Sequence, residues 1–198
     1  QTYNGDKIWF DLSRSVMDAV QITGRKNGAT VFMVMLAAYQ VLMMKYSRQD
    51  DISVGSPIAN RIRTEIEALI GFFVNTLTFR SRVTNQISFL DLLESVKETT
   101  LGAYAHQDLP FEQLVDELNP ERSLSHTPLF QVMFALQNTP IDEFKLPELT
   151  MESVNKEFKT AKFDLNMSIW ENTAGARGYF EFNTDMFDQS TVERMVQH

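Results

Sequence analysis

Residues 31–44 read Val-Phe-Met-Val-Met-Leu-Ala-Ala-Tyr-Gln-Val-Leu-Met-Met, with only Tyr39 and Gln40 breaking the apolar run. Leu, Met and Ala favour helix, and Thr30 ahead of the run is a good N-cap. Residues 31–46 are therefore expected as one helix. It is apolar almost all round, so it belongs in the middle of a core. It is too short to span a bilayer. Its methionines read as core packing rather than a cofactor box.

The rest of the chain can build that core. Its 198 residues are 43% hydrophobic and include 15 Phe, enough for one domain or one large lobe. The net charge of -8, with no basic stripe, argues against a nucleic-acid partner. No cysteine is present, which excludes disulfides, thiolate catalysis and Cys-based metal sites. No membrane segment is expected, and the setting expected is the cytoplasm. The opening Gln-Thr-Tyr-Asn-Gly-Asp has no signal-peptide pattern. The chain is expected to be excised from a larger polypeptide.

Periodicity assigns the remaining elements. Strands are expected at 8–12, 51–58, 74–83, 129–137, 149–154, 163–170 and 179–183, with a hairpin turn over 171–178. Pro57 should end its strand or put it on an edge. Helices are expected at 15–25, with Val16, Met17, Val20 and Ile22 inward, and from Ser88 to about Tyr104, with Asp91 completing a cap. Another should run 111–118 from Pro110 at its first turn, with Asp108 as a cap. Residues 62–69 read as a loop or short helix, and 138–147, with two prolines, as a loop or arm. Ser190 and Glu193 suggest a capping box for a last helix. Helices and hairpins both connect the strands. This predicts an α/β two-layer sandwich: a mixed sheet with helices on one face.

Little here suggests bond-making chemistry. The histidines are His106, His126 and His198. His106 and Asp108 are close, but no activated nucleophile accompanies them; His106 suits the last turn of a helix. No zinc pattern, phosphate loop or Gly-x-Gly-x-x-Gly is present. Asn75-Thr76 places two polar groups in an otherwise apolar strand. A buried Asn needs partners for its amide, so it either ties down a loop or lines a polar passage. Arg61, beyond the 51–58 strand, is either solvated or salt-bridged, or else braces a loop.

Three longer patterns carry more. Residues 70–80 read Ile-Gly-Phe-Phe-Val-Asn-Thr-Leu-Thr-Phe-Arg; after 25 intervening residues comes His-Gln-Asp-Leu-Pro-Phe-Glu at 106–112. Arg122, Ser125, Pro128 and Leu129 then form Arg-x-x-Ser-x-x-Pro-Leu. In this order, the patterns resemble the C-terminal half of condensation domains from nonribosomal peptide synthetases. Gly71, Phe73, Val74, Asn75, Thr76 and Arg80 fit the first pattern. His106, Gln107, Asp108, Pro110, Phe111 and Glu112 fit the second. The likeness runs over nearly the whole chain.

The resemblance implies one lobe of a V-shaped pair, each lobe like chloramphenicol acetyltransferase. Between the lobes, a tunnel admits phosphopantetheine arms from donor and acceptor carrier proteins; no cofactor binds this lobe directly. An acceptor amine attacks a donor thioester, forming a peptide bond in antibiotic or other secondary metabolism. The family's His-His-x-x-x-Asp-Gly motif belongs to the N-terminal lobe and does not occur here, so this chain alone is expected to be inert. Residues 56–69 would be a floor loop and 137–154 a latch arm. Arg61, Asn75 and Asp164 are the tunnel candidates. Implied partners are the N-terminal lobe, both carrier domains, an adjacent adenylation domain and, for the isolated lobe, a second copy. Epimerisation domains, cyclisation domains and a non-catalytic carrier-docking module are the rival readings; Phe73–Thr76 disfavours the first.

Overall fold

The computed structural model describes residues 2–61, 64–67, 69–120, 127–137 and 159–198. Six strands form one mixed sheet in the order β1-β6-β5-β4-β2-β3. They are β1 (Gly5–Ser13), β2 (Asp51–Ile58), β3 (Asn75–Arg82), β4 (Val132–Gln137), β5 (Leu165–Asn172) and β6 (Gly175–Asn183). β2, β4 and β5 run parallel; β3 and β6 are antiparallel to their neighbours, and β1 is antiparallel to β6. The helices are α1 (Arg14–Lys26), α2 (Val31–Ser47), α3 (Thr64–Glu67), α4 (Phe89–Ala105), α5 (Phe111–Leu118) and α6 (Gln189–Gln197). The strand expected at 149–154 and all but Gln137 of the 137–154 arm lie outside the described residues.

α2 is the central buried helix. Thr30 caps it, its hydroxyl accepting from the Met33 amide at 3.2 Å. Phe32 lies between Phe79 of β3 and Phe134 of β4, with ring centroids 5.6 and 5.4 Å away. One helical stretch later, Tyr39 meets Phe134 at 5.9 Å and Phe180 of β6 at 6.3 Å. Two side chains of one helix thus join three strands through stacked aromatic surface. The Gln40 amide, fully buried, donates to the Phe79 carbonyl at 3.3 Å. α1, α4 and α6 add Met17, Leu92, Leu93, Val96, Val192 and Met195 to this core.

The helices on one face match the expected sandwich. On the other face, alternation places an exposed Trp9 beside the half-buried Trp170 and Tyr179. The chain's own cations cover two of these rings: Lys7 Nζ is 4.4 Å from the Tyr179 centroid, and the Arg177 guanidinium 5.1 Å from that of Trp9. α5 is an addition on this face, where Phe111 packs on Phe130 at 5.4 Å.

Several local expectations shift. In α1, Met17 is buried and Val20 packs against the core as expected, but Val16 and Ile22 are exposed and Gly24 is buried. Gly24 is needed because a Cβ there would sit 2.6 Å from the Ala29 carbonyl oxygen. The last helix starts at Gln189 with Asp188 as N-cap, because the Asp188 carbonyl accepts from Thr191 and Val192. The β5–β6 turn is only Thr173-Ala174, and Asn172 already pairs with Gly175. Gly175 has φ +141°, and a Cβ there would lie 2.1 Å from the Leu12 oxygen, so the turn tightens around a true glycine requirement. β2 does run on through Pro57, but its ladder with β4 covers only Val54 and Gly55. Proline therefore falls where that side of β2 has become an edge.

Phe134→Ala should cost about 3–5 kcal/mol in denaturant unfolding, because it removes the hub of the aromatic chain. Tyr39→Phe should be neutral or stabilising by up to about 1 kcal/mol, since its buried hydroxyl has no hydrogen-bond partner among the described residues.

Candidate functional site

The first two sequence patterns meet in space, and the residue after the third reaches them. β3 begins opposite the end of β2, with Asn75 paired to Ile58. From there the Asn75 side chain reaches the loop between α4 and α5. Its Nδ2 donates to the Gln107 and Leu109 carbonyls, each at 2.8 Å. Its Oδ1 accepts from the amides of Phe111 at 3.1 Å and Thr76 at 2.9 Å. All the amide's hydrogen-bonding capacity is used. Of the two readings of Asn75, the structure shows the tie to a loop.

This tie also caps a helix. Pro110, not Asp108, is the N-cap residue of α5, and it has no side-chain donor or acceptor to offer. The Phe111 amide, an orphan of the first turn, is satisfied from β3 by Asn75. Glu112 adds favourable charge at the same helix start. At the other side of the loop, His106 is the C-cap residue of α4, its amide bonded to Ala103 and Tyr104 carbonyls. It stands at the end of the helix.

The third pattern joins through Phe130. That ring contacts Phe111 and, at 5.8 Å, Phe163. It also fills the space above Gly55, where a Cβ would meet it at 2.4 Å. Pro128 accepts from the Phe130 amide at 2.8 Å, and Leu129 takes φ +66° to make the turn. Phe130 was not singled out by sequence reasoning; its glycine partner is 75 positions away in the chain, so no local pattern marks the pair. Arg122 and Ser125 lie outside the described residues.

Arg61 is the second organiser. Its Nη1 donates to the carbonyls of Ile66 and, at 2.9 Å, Leu69. Its Nη2 reaches Gly71 at 3.4 Å, and its guanidinium lies 4.3 Å from the centroid of Phe73. The loop-bracing reading is the one the structure shows. Gly71 leaves room for that ring: a Cβ there would stand 3.0 Å from it. Beyond the brace, Ile70 and Phe72 project with relative exposures of 105% and 90%, and Val74 is also exposed.

Arg61 and Asn75 therefore share the end of the sheet at which β2, β4 and β5 finish. Asp164 does not join them. It precedes β5, its amide bonded to Gln131 and its carbonyl to the Asn183 amide. The strand register puts it roughly 16 Å of strand below the Ile58–Asn75 end. Arg80 also lies toward that lower end, paired bidentately with Asp51 at 2.8 and 2.6 Å. A cavity of about 660 Å³ opens beside this pair, against Leu114 and Leu118 of α5. Among the described residues, no group of His, Cys, Asp or Glu could hold a metal. No single helix among them is long and apolar enough to cross a membrane.

The geometry is that of a scaffold presenting a braced apolar loop. The Condensation domain family model matches residues 1–198. The chain belongs to the condensation-domain family. It is 50% identical over 200 residues to a linear gramicidin synthase of Brevibacillus parabrevis, covering 100% of this chain and 3% of that protein. Bacitracin synthase 2 of Bacillus licheniformis is 40% identical over 198 residues, covering 100% of this chain and 8% of that protein. Among solved structures, the condensation domain from Monacolin K polyketide synthase MokA gives a TM-score of 0.86 at 22% identity, over 100% of this chain and 46% of that one. The X-domain from teicoplanin biosynthesis gives 0.88 at 22% identity, over 98% and 45%. This condensation-domain segment thus spans a few per cent of those curated relatives and under half of those solved chains.

Two outcomes follow from the geometry. Asn75→Ala should lower stability by about 2–3 kcal/mol in urea unfolding, because two carbonyls and the Phe111 amide lose their partner. The hydrogen bond from Arg80 holds the Asp51 carboxyl below its ordinary value, aided by the charges of Arg80 and Arg82. Its folded-state pKa is depressed, so this stabilisation is present above the unfolded carboxylate range and lost as pH falls through the lowered value. Asp51→Asn should therefore flatten the acid limb of a stability–pH curve slightly. The pair is exposed, so the change should also shrink in high salt.

Proposed function

We propose that this chain serves as the second lobe of a condensation domain in a peptide synthetase. In that reading, the acceptor amine attacks the donor thioester carbonyl. The tetrahedral intermediate collapses, the C–S bond breaks, and the amine proton ends on the departing thiol. Donor and acceptor arrive on phosphopantetheine arms of carrier domains, and an adenylation domain loads the acceptor carrier. The His-His-x-x-x-Asp-Gly group that handles the proton would come from the N-terminal lobe.

The observation that carries this reading is the interlock of the first two family patterns around Asn75 and Phe111, with Phe130, which follows the end of the third, packed against them. It sits beside a braced loop whose Ile70 and Phe72 have no covering within the described residues. An apolar tip of that kind suits a surface meant to be covered. Residues 56–69 would then floor the tunnel, with Arg61 fixing the loop and Asn75 fixing what lies behind it. Residues 137–154 would latch onto the other lobe. Such walls act by proximity and orientation rather than by chemistry of their own. Alone, the lobe would leave the tip open to self-association.

Loaded donor and acceptor carriers should give peptidyl thioester with the whole parent domain and none with this chain alone, read by mass spectrometry of the carriers. Turnover by the isolated chain above the uncatalysed background would overturn the proposal. In the whole domain, Arg61→Ala should lower kcat by about ten-fold or more through a displaced loop, with the fold intact.

A further inference from the structure

The chain contains two Asn-Gly pairs, Asn4-Gly5 and Asn27-Gly28. Glycine lacks the side chain that normally keeps its amide nitrogen from approaching the preceding side-chain carbonyl. Both pairs therefore carry the same intrinsic tendency toward succinimide formation. The fold treats them very differently.

Gly5 is locked. It is buried at the start of β1, and its amide donates to the Lys159 carbonyl at 3.1 Å. A Cβ there would lie 2.4 Å from the Ala161 nitrogen and the Thr160 carbon. Asn4 is held too, its Nδ2 donating to Asp185 at 2.9 Å. The nitrogen and the carbon that would react are thus each fixed by separate parts of the chain.

Gly28 is loose. It is exposed, takes φ +61°, and has nothing within 4 Å of where a Cβ would be. Its amide has one long contact, 3.5 Å to the Arg25 carbonyl. Asn27 is the C-cap residue of α1, and its Nδ2 donates to the Thr23 carbonyl at 2.8 Å. A fraying last helical turn frees both groups at once.

The geometry points to Asn27-Gly28 as a self-modifying turn. The Gly28 nitrogen gives up its proton and bonds to Asn27 Cγ. The Cγ–Nδ2 bond breaks, and ammonia leaves with the proton. Water then opens the five-membered imide at either carbonyl, leaving an aspartate in place of Asn27 or a backbone rerouted through that side chain. Only water is needed as co-reactant. The product loses the donor to Thr23 and places a negative charge at the C-terminus of α1, where the helix dipole disfavours it. The modified chain should therefore unfold at a lower temperature. This inference does not rest on the catalytic reading.

The test is a time course of the purified chain at 37 °C in mildly alkaline buffer, folded and in urea, with peptide mapping of both pairs. In the folded chain, conversion at Asn27 should outrun that at Asn4 by about ten-fold or more. In urea, the two should convert at similar rates. Equal rates in the folded chain, or faster loss at Asn4, would overturn the proposal. So would protection of Asn27 by folding to the level of Asn4. As a second arm, Asn27→Asp should reproduce the lower melting temperature; an unchanged melting temperature would contradict the loss of the α1 cap.

Discussion

One carboxamide holds this lobe's characteristic end together. Asn75 sits at the start of an edge strand, and three of its four hydrogen bonds join β3 to the loop after α4 and to the first amide of α5. Aspartate lacks the two donors, and serine or threonine has neither the reach nor the number of partners. Once the loop is fixed, Phe111 is placed against Phe130, and Phe130 against Gly55 at the end of the β2–β4 ladder.

Behind that cluster stands a core of ordinary construction. α2 threads Phe32 and Tyr39 between aromatics of three strands, and burial of this surface is the dominant stabilising term. The surface ion pairs add little by comparison: Arg80–Asp51 and Arg14–Asp18 are largely exposed. In front of the cluster, Arg61 gathers carbonyls and an aromatic ring, keeping a loop with an apolar tip in a defined shape. The division is between a core that carries stability and an end of the sheet that carries presentation. That is where ligands are usually met in open α/β sheets with parallel strands.

Much of this was legible in sequence because it is periodic. The buried α2, the strand at β3, the Thr30 and Ser88 caps and the edge position of Pro57 each follow from local pattern. The partners of Asn75 were not legible, since they lie 32 to 36 positions away. Sequence alone left open a loop tie and a polar passage. Asp108 looked like the cap of α5 for the same reason: local spacing favours it, whereas the satisfied amide is reached across space. Asp164 shows the opposite limit. It looked eligible beside Arg61 and Asn75, but strand register sets it at the far end of β5. Tertiary pairing, not residue type, decides such cases.

Amide hydrogen exchange at Phe111 tests the central claim most directly. In the native chain that amide should be protected. Asn75→Ala should abolish its protection while amides of α2 and β4 keep theirs, because only the clamp has been removed. Unchanged protection at Phe111 would show that α5 is capped by something else, and the interlock of the first two patterns would not depend on Asn75.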